Sequence, residues 1–320
     1  MHPAWSVIVF TTVSGAAQGM AVLLALCTLL GVPLAPALVS GALLLGLVML
    51  LVGLGASFLH LGRPMRAWRA VAMWRTSWLS REVIVLPAFI AVVGLWWLTL
   101  QMSGPLAPWL PLQPLQPLLP LMPWLVLALA ALLWLCTAMI YACIRFIAEW
   151  AHPITVAYYG LTGLASGALL LGAGAALAGE TALARGLVPL ATVLVLGAWA
   201  LRVITLHRNQ GLKPKSTLRS ATGLAGTPLV QKSMGMSAGS FNTREFFHGA
   251  SAAAVRHVRL GLHGLCFALP ALLLLAVWAG APTALLALAL LVHVPGLLAE
   301  RWLFFAQARH PQNLYYQQVS

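Results

Sequence analysis

The sequence predicts an all-α integral membrane protein of eight transmembrane helices, and three observations lead there. Hydrophobic residues make up 61% of the chain and charged residues only 7%, too few to surround an apolar core with a water-soluble shell. The apolar residues fall in eight solid runs of Leu, Ala and Val, each close to the roughly 20 residues that carry a helix across about 30 Å of hydrocarbon. Those runs lack the period-two alternation of a membrane β-barrel.

The first run, about 5–30, has neither a basic flank nor a small-residue cleavage pattern and reads as a retained helix rather than a signal peptide. It carries Ser14-Gly15-x-x-x-Gly19, a spacing that lets helix backbones approach closely. The second, about 35–59, closes on His60, and the third, about 83–101, opens on Glu82. At that opening a carboxylate favours the positive end of the helix dipole. An uncharged Pro-rich linker at 105–123 leads to the fourth run, about 121–144. The fifth, about 154–178, repeats the small-residue spacing as Thr162-Gly163-x-x-x-Gly167, and the sixth, about 185–207, ends in His207. An offset of about 148 residues between these paired features predicts two parallel four-helix halves. The seventh and eighth runs cover about 257–280 and 283–306, and His293-Val294-Pro295-Gly296 alone resembles a helix interruption. Residues 1–320 thus read as a single polytopic membrane domain.

Eight crossings put both termini, and the loops after helices 2, 4 and 6, on one side. Of the 18 Lys and Arg, 17 fall on that side and only Arg185 on the other, so the positive-inside rule makes it cytoplasmic, in a prokaryotic cytoplasmic membrane. A pI near 10.9 then reflects topology and an acidic soluble partner rather than nucleic acid, because the cations are loop-bound and no nucleic-acid motif accompanies them. The loop at 208–256 is long and basic, with too little apolar content for a domain of its own. Its end, FNTREFFHG, gathers Arg244, Phe246, Phe247 and His248, a cluster suited to docking another protein; contact with lipid headgroups is the alternative. Cys27, Cys136, Cys143 and Cys266 lie in or at the ends of spans without CxxC pairing, so they read as packing residues and no metal site is expected.

The chain contains no Asp and five Glu, so each carboxylate asks for an explanation. Five of the 18 cations lie between His60 and Glu82, with Trp68, Trp74 and Trp78 among them. Donors for carbonyl oxygens, aromatic faces for a ring and a His/Glu pair to move protons are what a quinone headgroup needs. The tryptophans taken singly fit an interfacial aromatic belt equally well. Glu300 and Arg301 read as a buried ion pair.

The run SFLHLGRPMRAWRA followed by LSRE, the small-residue first helix and a terminal AERWLFFA helix resemble the membrane anchor subunit of dimethyl sulfoxide reductase, in the DmsC-like family of molybdenum iron–sulfur oxidoreductases. That resemblance implies that His60 and Glu82, with Gly62, Arg63, Arg66 and Trp68 beside them, belong to a quinone/quinol site (ubiquinone or menaquinone). It also implies an iron–sulfur electron-transfer subunit docked on the same face and a molybdopterin catalytic subunit beyond it. In dimethyl sulfoxide reductase the catalytic subunits sit outside the membrane. Here the charge bias points inward and the basic loop is long, as in the anchors of cytoplasmic sulfite dehydrogenases, which implies electron flow from sulfite oxidation to quinone. A quinol-oxidising anchor of a dimethyl sulfoxide or polysulfide-type reductase is the reverse case.

Three other readings stay open. A haem b anchor needs histidines facing each other at matched depth, and His263 and His293 differ by about 9 Å along their helices. A membrane transporter calls for midplane charges or broken helices in both halves. A passive anchor has no quinone site at all.

Overall fold

The computed structural model describes residues 1–101, 113–214, 217–224, 229, 245–311 and 313. Eight helices long and apolar enough to cross a membrane stand where the sequence puts them. They are α1 (Trp5–Leu29), α2 (Pro36–Phe58), α3 (Trp78–Leu100), α4 (Met122–Ala142), α5 (Pro153–Leu177) and α6 (Thr181–Gln210). After a short α7 (Leu218–Thr222) come α8 (Ala252–Trp278), which widens into a π turn over Leu262–Ala268, and α9 (Leu285–Ala306). There is no β-strand among the described residues.

Local chemistry sets the ends. Pro36 and Pro153 occupy the first turns of α2 and α5, where a missing N–H costs nothing. The Ser77 and Ser251 side chains cap α3 and α8 by accepting from the Ser80 and Ala254 amides at 3.3 and 3.2 Å. α1 and α5 stop at Gly31 and Gly179, whose φ values of 68° and 79° turn the chain left-handed at little cost.

α1 and α5 are the most buried helices, and their two small-residue motifs meet at the centre of the bundle. A Cβ on Gly19 would strike the Gly163 carbonyl, and one on Gly167 would strike the Gly19 backbone. A Cβ on Gly163 would lie 3.1 Å from the Gly15 oxygen. Only glycine permits this approach, which replaces side-chain packing by backbone contact where lipid supplies no hydrophobic drive between helices. The neighbours repeat around the crossing: α1 packs on α2 and α4 as α5 packs on α6 and α9, while α3–α4 is matched by α8–α9. This is the two-half architecture. The outer faces present Leu44, Leu45, Val48, Leu51 and Val52 of α2 and similar residues of α6 and α8 to lipid.

Two expectations change. α3 begins at Trp78, not near residue 83, so Glu82 sits a full turn inside the helix rather than at its opening. α9 runs unbroken through Pro295; lipid-embedded helices tolerate an interior proline when neighbours take up the freed groups. The irregular backbone lies opposite, in the π turn of α8. There Gly296 comes so close to Leu265 and Cys266 that a Cβ would meet their backbone, and His293 Nδ1 donates to the Cys266 carbonyl at 2.8 Å.

Candidate functional site

The spanning helices carry few charges, and three of them converge. Arg202 of α6 and Arg301 of α9 both pair with Glu300, at 3.2 and 2.8 Å, with all three side chains essentially withdrawn from solvent. The Arg301 guanidinium also lies 4.1 Å from the Tyr159 ring centre. Two cations on one carboxylate leave a surplus positive charge in the low-dielectric interior. The Glu300–Arg301 pair was legible in the sequence. Arg202 was missed as its second partner, though an arginine inside an otherwise apolar run was the signal for it.

Arg301 borders a cleft between α1, α4, α5 and α9, with Leu86 of α3 at its edge and about 480 Å³ of space counted to the open mouth. Most polar groups on its walls are committed within the protein. Thr11 and Thr12 hydroxyls donate back to their own helix, and Gln18 Nε2 donates to the Ala130 carbonyl at 2.8 Å. Ser166 Oγ lies 2.9 Å from both the Thr162 carbonyl and His293 Nε2. Five atoms on its walls have no hydrogen-bond partner among the described residues: Ser14 Oγ, Trp134 Nε1, Tyr159 OH, Thr162 Oγ1 and Arg301 Nη1. Isolated serines, threonines and tryptophans in apolar runs gave no sequence signal for this grouping.

Glu82 is 5% exposed and is held by Thr137 of α4, whose hydroxyl donates to its carboxyl. Thr137 itself lines the cleft. The carboxyl at the basic end of α3 is therefore one hydroxyl away from the cleft, an arrangement able to pass a proton between the two.

The remaining expected quinone-site residues lie elsewhere. His60 is exposed in the turn after α2, and partial burial lowers its imidazole below the usual His value against the opposing pull of the Ala56 carbonyl. No hydrogen bond or ion pair joins it to Glu82 among the described residues. Gly62, Arg63 and Arg66 are exposed as well, beside or within a 3-10 helix over Pro64–Met73. Trp68 is 70% exposed. The expected convergence of Trp faces on one pocket is replaced by local stacking. Arg69 lies over Trp68 at 5.5 Å, Arg75 over Trp74 at 5.4 Å and Arg81 over Trp78 at 4.1 Å. Arg81 also donates to the Trp74 and Arg75 carbonyls, both at 2.9 Å, closing the end of the 3-10 helix.

The cluster expected to dock a partner is largely used by the protein itself. Phe247 is buried, Phe246 stacks on His310 with ring centres 3.8 Å apart, and His248 lies against Trp302. Asn313 Nδ2 donates to the Phe246 carbonyl at 3.0 Å, and the His2 amide donates to the Glu245 carbonyl. The segment fastens the two ends of the chain together; Arg244 lies outside the described residues. The haem candidates are likewise engaged. Both His293 nitrogens meet protein atoms, and His263 Nδ1 accepts from Trp199 Nε1 at 3.0 Å, which leaves no facing pair of free imidazole nitrogens. No group of three His, Cys, Asp or Glu able to hold a metal occurs among the described residues.

This arrangement has relatives. The chain is 44% identical over 334 aligned positions, covering 100% of both chains, to the sulfite dehydrogenase C-subunit of Allochromatium vinosum. It is 30% identical over 126 positions, 38% of this chain and 40% of the other, to anaerobic dimethyl sulfoxide reductase chain YnfH of Escherichia coli K12. A family model described as DMSO reductase anchor subunit (DmsC) matches residues 1–306. With eight spanning helices, a polar cleft among them and a full-length relative of that kind, this multi-pass membrane protein belongs to the DMSO reductase anchor subunit (DmsC) family.

Proposed function

We propose that this chain is the quinone-reactive membrane subunit of a three-subunit sulfite-oxidising molybdoenzyme. Electrons arise at a molybdopterin subunit and pass through an iron–sulfur subunit docked on the basic face, which the charge bias makes cytoplasmic. Each membrane quinone takes two electrons from that partner and two protons from the cytoplasm, so both carbonyls become hydroxyls. The chain supplies no metal; its part is to bind the headgroup and deliver protons.

One observation carries this reading: a buried carboxyl, Glu82, bonded to a hydroxyl that lines a polar cleft inside the bundle. Thr137 can accept a proton from Glu82 and offer its own to an oxygen in the cleft. Glu82 lies one turn from the basic surface, where the exposed His60 exchanges protons with water and meets a headgroup oxygen at the rim. Gly62, Arg63, Arg66 and Trp68 form the rest of that rim and face the docked partner. The full-length similarity to a sulfite dehydrogenase subunit supports sulfite as the electron source. The shorter similarity to a dimethyl sulfoxide reductase chain favours, as the second reading, the same site run in reverse as a quinol oxidase.

The test is Glu82→Gln in the complete complex. A general acid contributes about 100- to 10,000-fold, so quinone reduction should fall by at least about 100-fold while sulfite oxidation with ferricyanide persists. Quinone reduction within a few-fold of wild type overturns the proposal. His60→Ala should lower quinone reduction in the same assay.

A further inference from the structure

Set apart from its open mouth, the cleft between α1, α4, α5 and α9 is small: the part that admits a water-sized body measures about 30 Å³, room for about two waters. Its surroundings carry a net charge. Arg202 and Arg301 share the single carboxylate of Glu300, so one positive charge is left over in a bundle where no bulk water is at hand to screen it. Arg301 brings that charge to the cleft wall. No carboxylate lines the cleft among the described residues. Glu82 reaches it only through the Thr137 hydroxyl, and His293 has both nitrogens engaged by Ser166 and Cys266.

The unpartnered atoms beside this charge are donors. Trp134 Nε1 and Arg301 Nη1 can only donate, and the Tyr159 and Thr162 hydroxyls hold protons with no partner among the described residues. Tyr159, Thr162 and Gly163 stand at i, i+3 and i+4 and so share one face of α5. Trp134 of α4 lies over that face, where a Cβ on Gly163 would come 2.8 Å from its Nε1; glycine makes room for the indole. Arg301 of α9 closes the far end, its guanidinium 4.1 Å from the Tyr159 ring centre. Ser14 Oγ lies against Gly53 of α2, where a Cβ would overlap it, and stays outside this set. Thr162 and Arg301 are 4% and 2% exposed. Each buried donor without a partner costs free energy. Four of them beside an unbalanced guanidinium call for an acceptor that carries negative charge.

We infer that the cleft binds one halide ion, chloride, held by Arg301 Nη1, Trp134 Nε1 and the Tyr159 and Thr162 hydroxyls. The ion neutralises the Arg202–Glu300–Arg301 cluster and ties α4, α5 and α9 together. Hydrogen bonds to a charged acceptor are roughly twice as strong as neutral ones. Two waters in its place would leave the charge standing, and each would have to place its own protons. The Thr11, Thr12 and Ser166 oxygens, whose protons go to backbone carbonyls, keep lone pairs for one water beside the ion. Sulfate and carboxylates exceed the space. The site lies apart from the His60 rim and does not depend on the quinone reaction.

The experiment uses the complete complex from cells grown with bromide in place of chloride, purified in bromide and then desalted into gluconate of equal ionic strength. The wild-type complex should retain bromide, counted by X-ray fluorescence, and should melt at a higher temperature in chloride than in gluconate. Thr162→Val and Trp134→Phe should each raise roughly tenfold the chloride concentration that gives half of this rise, the effect of one lost hydrogen bond to a charged acceptor. Thr162→Ser should restore it. If neither variant assembles with its partner subunits, anomalous scattering from crystals of the wild-type bromide complex decides: a peak between Thr162, Trp134 and Arg301 supports the site, and a map without one there overturns it. No retained bromide, with a melting temperature indifferent to chloride, overturns the inference and leaves the cleft to water. Bromide retained equally by the wild type and both variants puts the ion elsewhere and overturns it too.

Discussion

Replacing Glu300 by Gln removes the one anion that Arg202 and Arg301 share, and leaves two like charges in a fully buried site. At an effective dielectric near 20, an ion pair at about 3 Å carries roughly 5 kcal/mol of raw Coulomb energy. Most of that offsets the cost of taking the charges out of water, and losing one partner of a buried pair costs about 3–5 kcal/mol net. The folded-to-unfolded ratio should therefore fall by at least about 100-fold. Equilibrium unfolding of the purified protein in detergent measures this directly. Adding Arg202→Met to Glu300→Gln returns the cluster to its native net charge and should recover a good part of the loss. A Glu300→Gln protein within about 1 kcal/mol of wild type would refute the account, since it would mean that water or lipid headgroups already neutralise the two guanidinium groups.

Two further outcomes follow from local geometry. Gly167→Ala drives a Cβ into the Gly19 backbone at the α1–α5 crossing and should cost about 1–3 kcal/mol by overpacking. Gly174→Ala, on the same helix where a Cβ meets nothing, should be neutral or stabilise by up to about 1 kcal/mol; equal effects in the unfolding assay would argue against the crossing. His310 is held below its usual value by burial first and the Met1 ammonium second, so the unfolded chain binds its proton more readily. The sign is then fixed: its contribution is intact above about pH 6.5 and is lost as pH falls below that. The clasp of Phe246 on His310 should loosen, seen as faster amide exchange over residues 245–248 at pH 5 than at pH 7.5 after correction for intrinsic rates. Unchanged protection would show that protonation does not bear on the stack.

The helices were legible because each apolar run is about as long as the membrane is thick, and length is a property one chain displays by itself. The two small-residue motifs were legible for the same reason, and their spacing along the sequence matched their meeting at the bundle centre. What a single sequence does not display is the facing of one helix on another. Glu82 was picked out by its scarcity, yet its partner Thr137 is 55 residues away on another helix. Arg202 and Glu300, nearly a hundred residues apart, meet only because α6 and α9 belong to the same half. His60 was expected at the depth of Glu82; in the structure His60 is exposed and Glu82 is buried. Phe246, Phe247 and His248 looked outward in the sequence because nothing in FNTREFFHG reveals that the chain's own ends lie beside it.

The 3-10 helix over Pro64–Met73 contains no buried residue, although such helices seldom run beyond three or four residues unaided. Ordering ten residues of backbone opposes folding by about 1–2 kcal/mol apiece, and no core side chain here offsets it. Its fixed points are Arg81, reaching back to the carbonyls at its end, and the Arg–Trp stacks along its length. The collar of cations around the exit of α2 thus borrows its order from whatever rests against it. Stripped of lipid and company, this stretch should lose its shape before the two helices it joins.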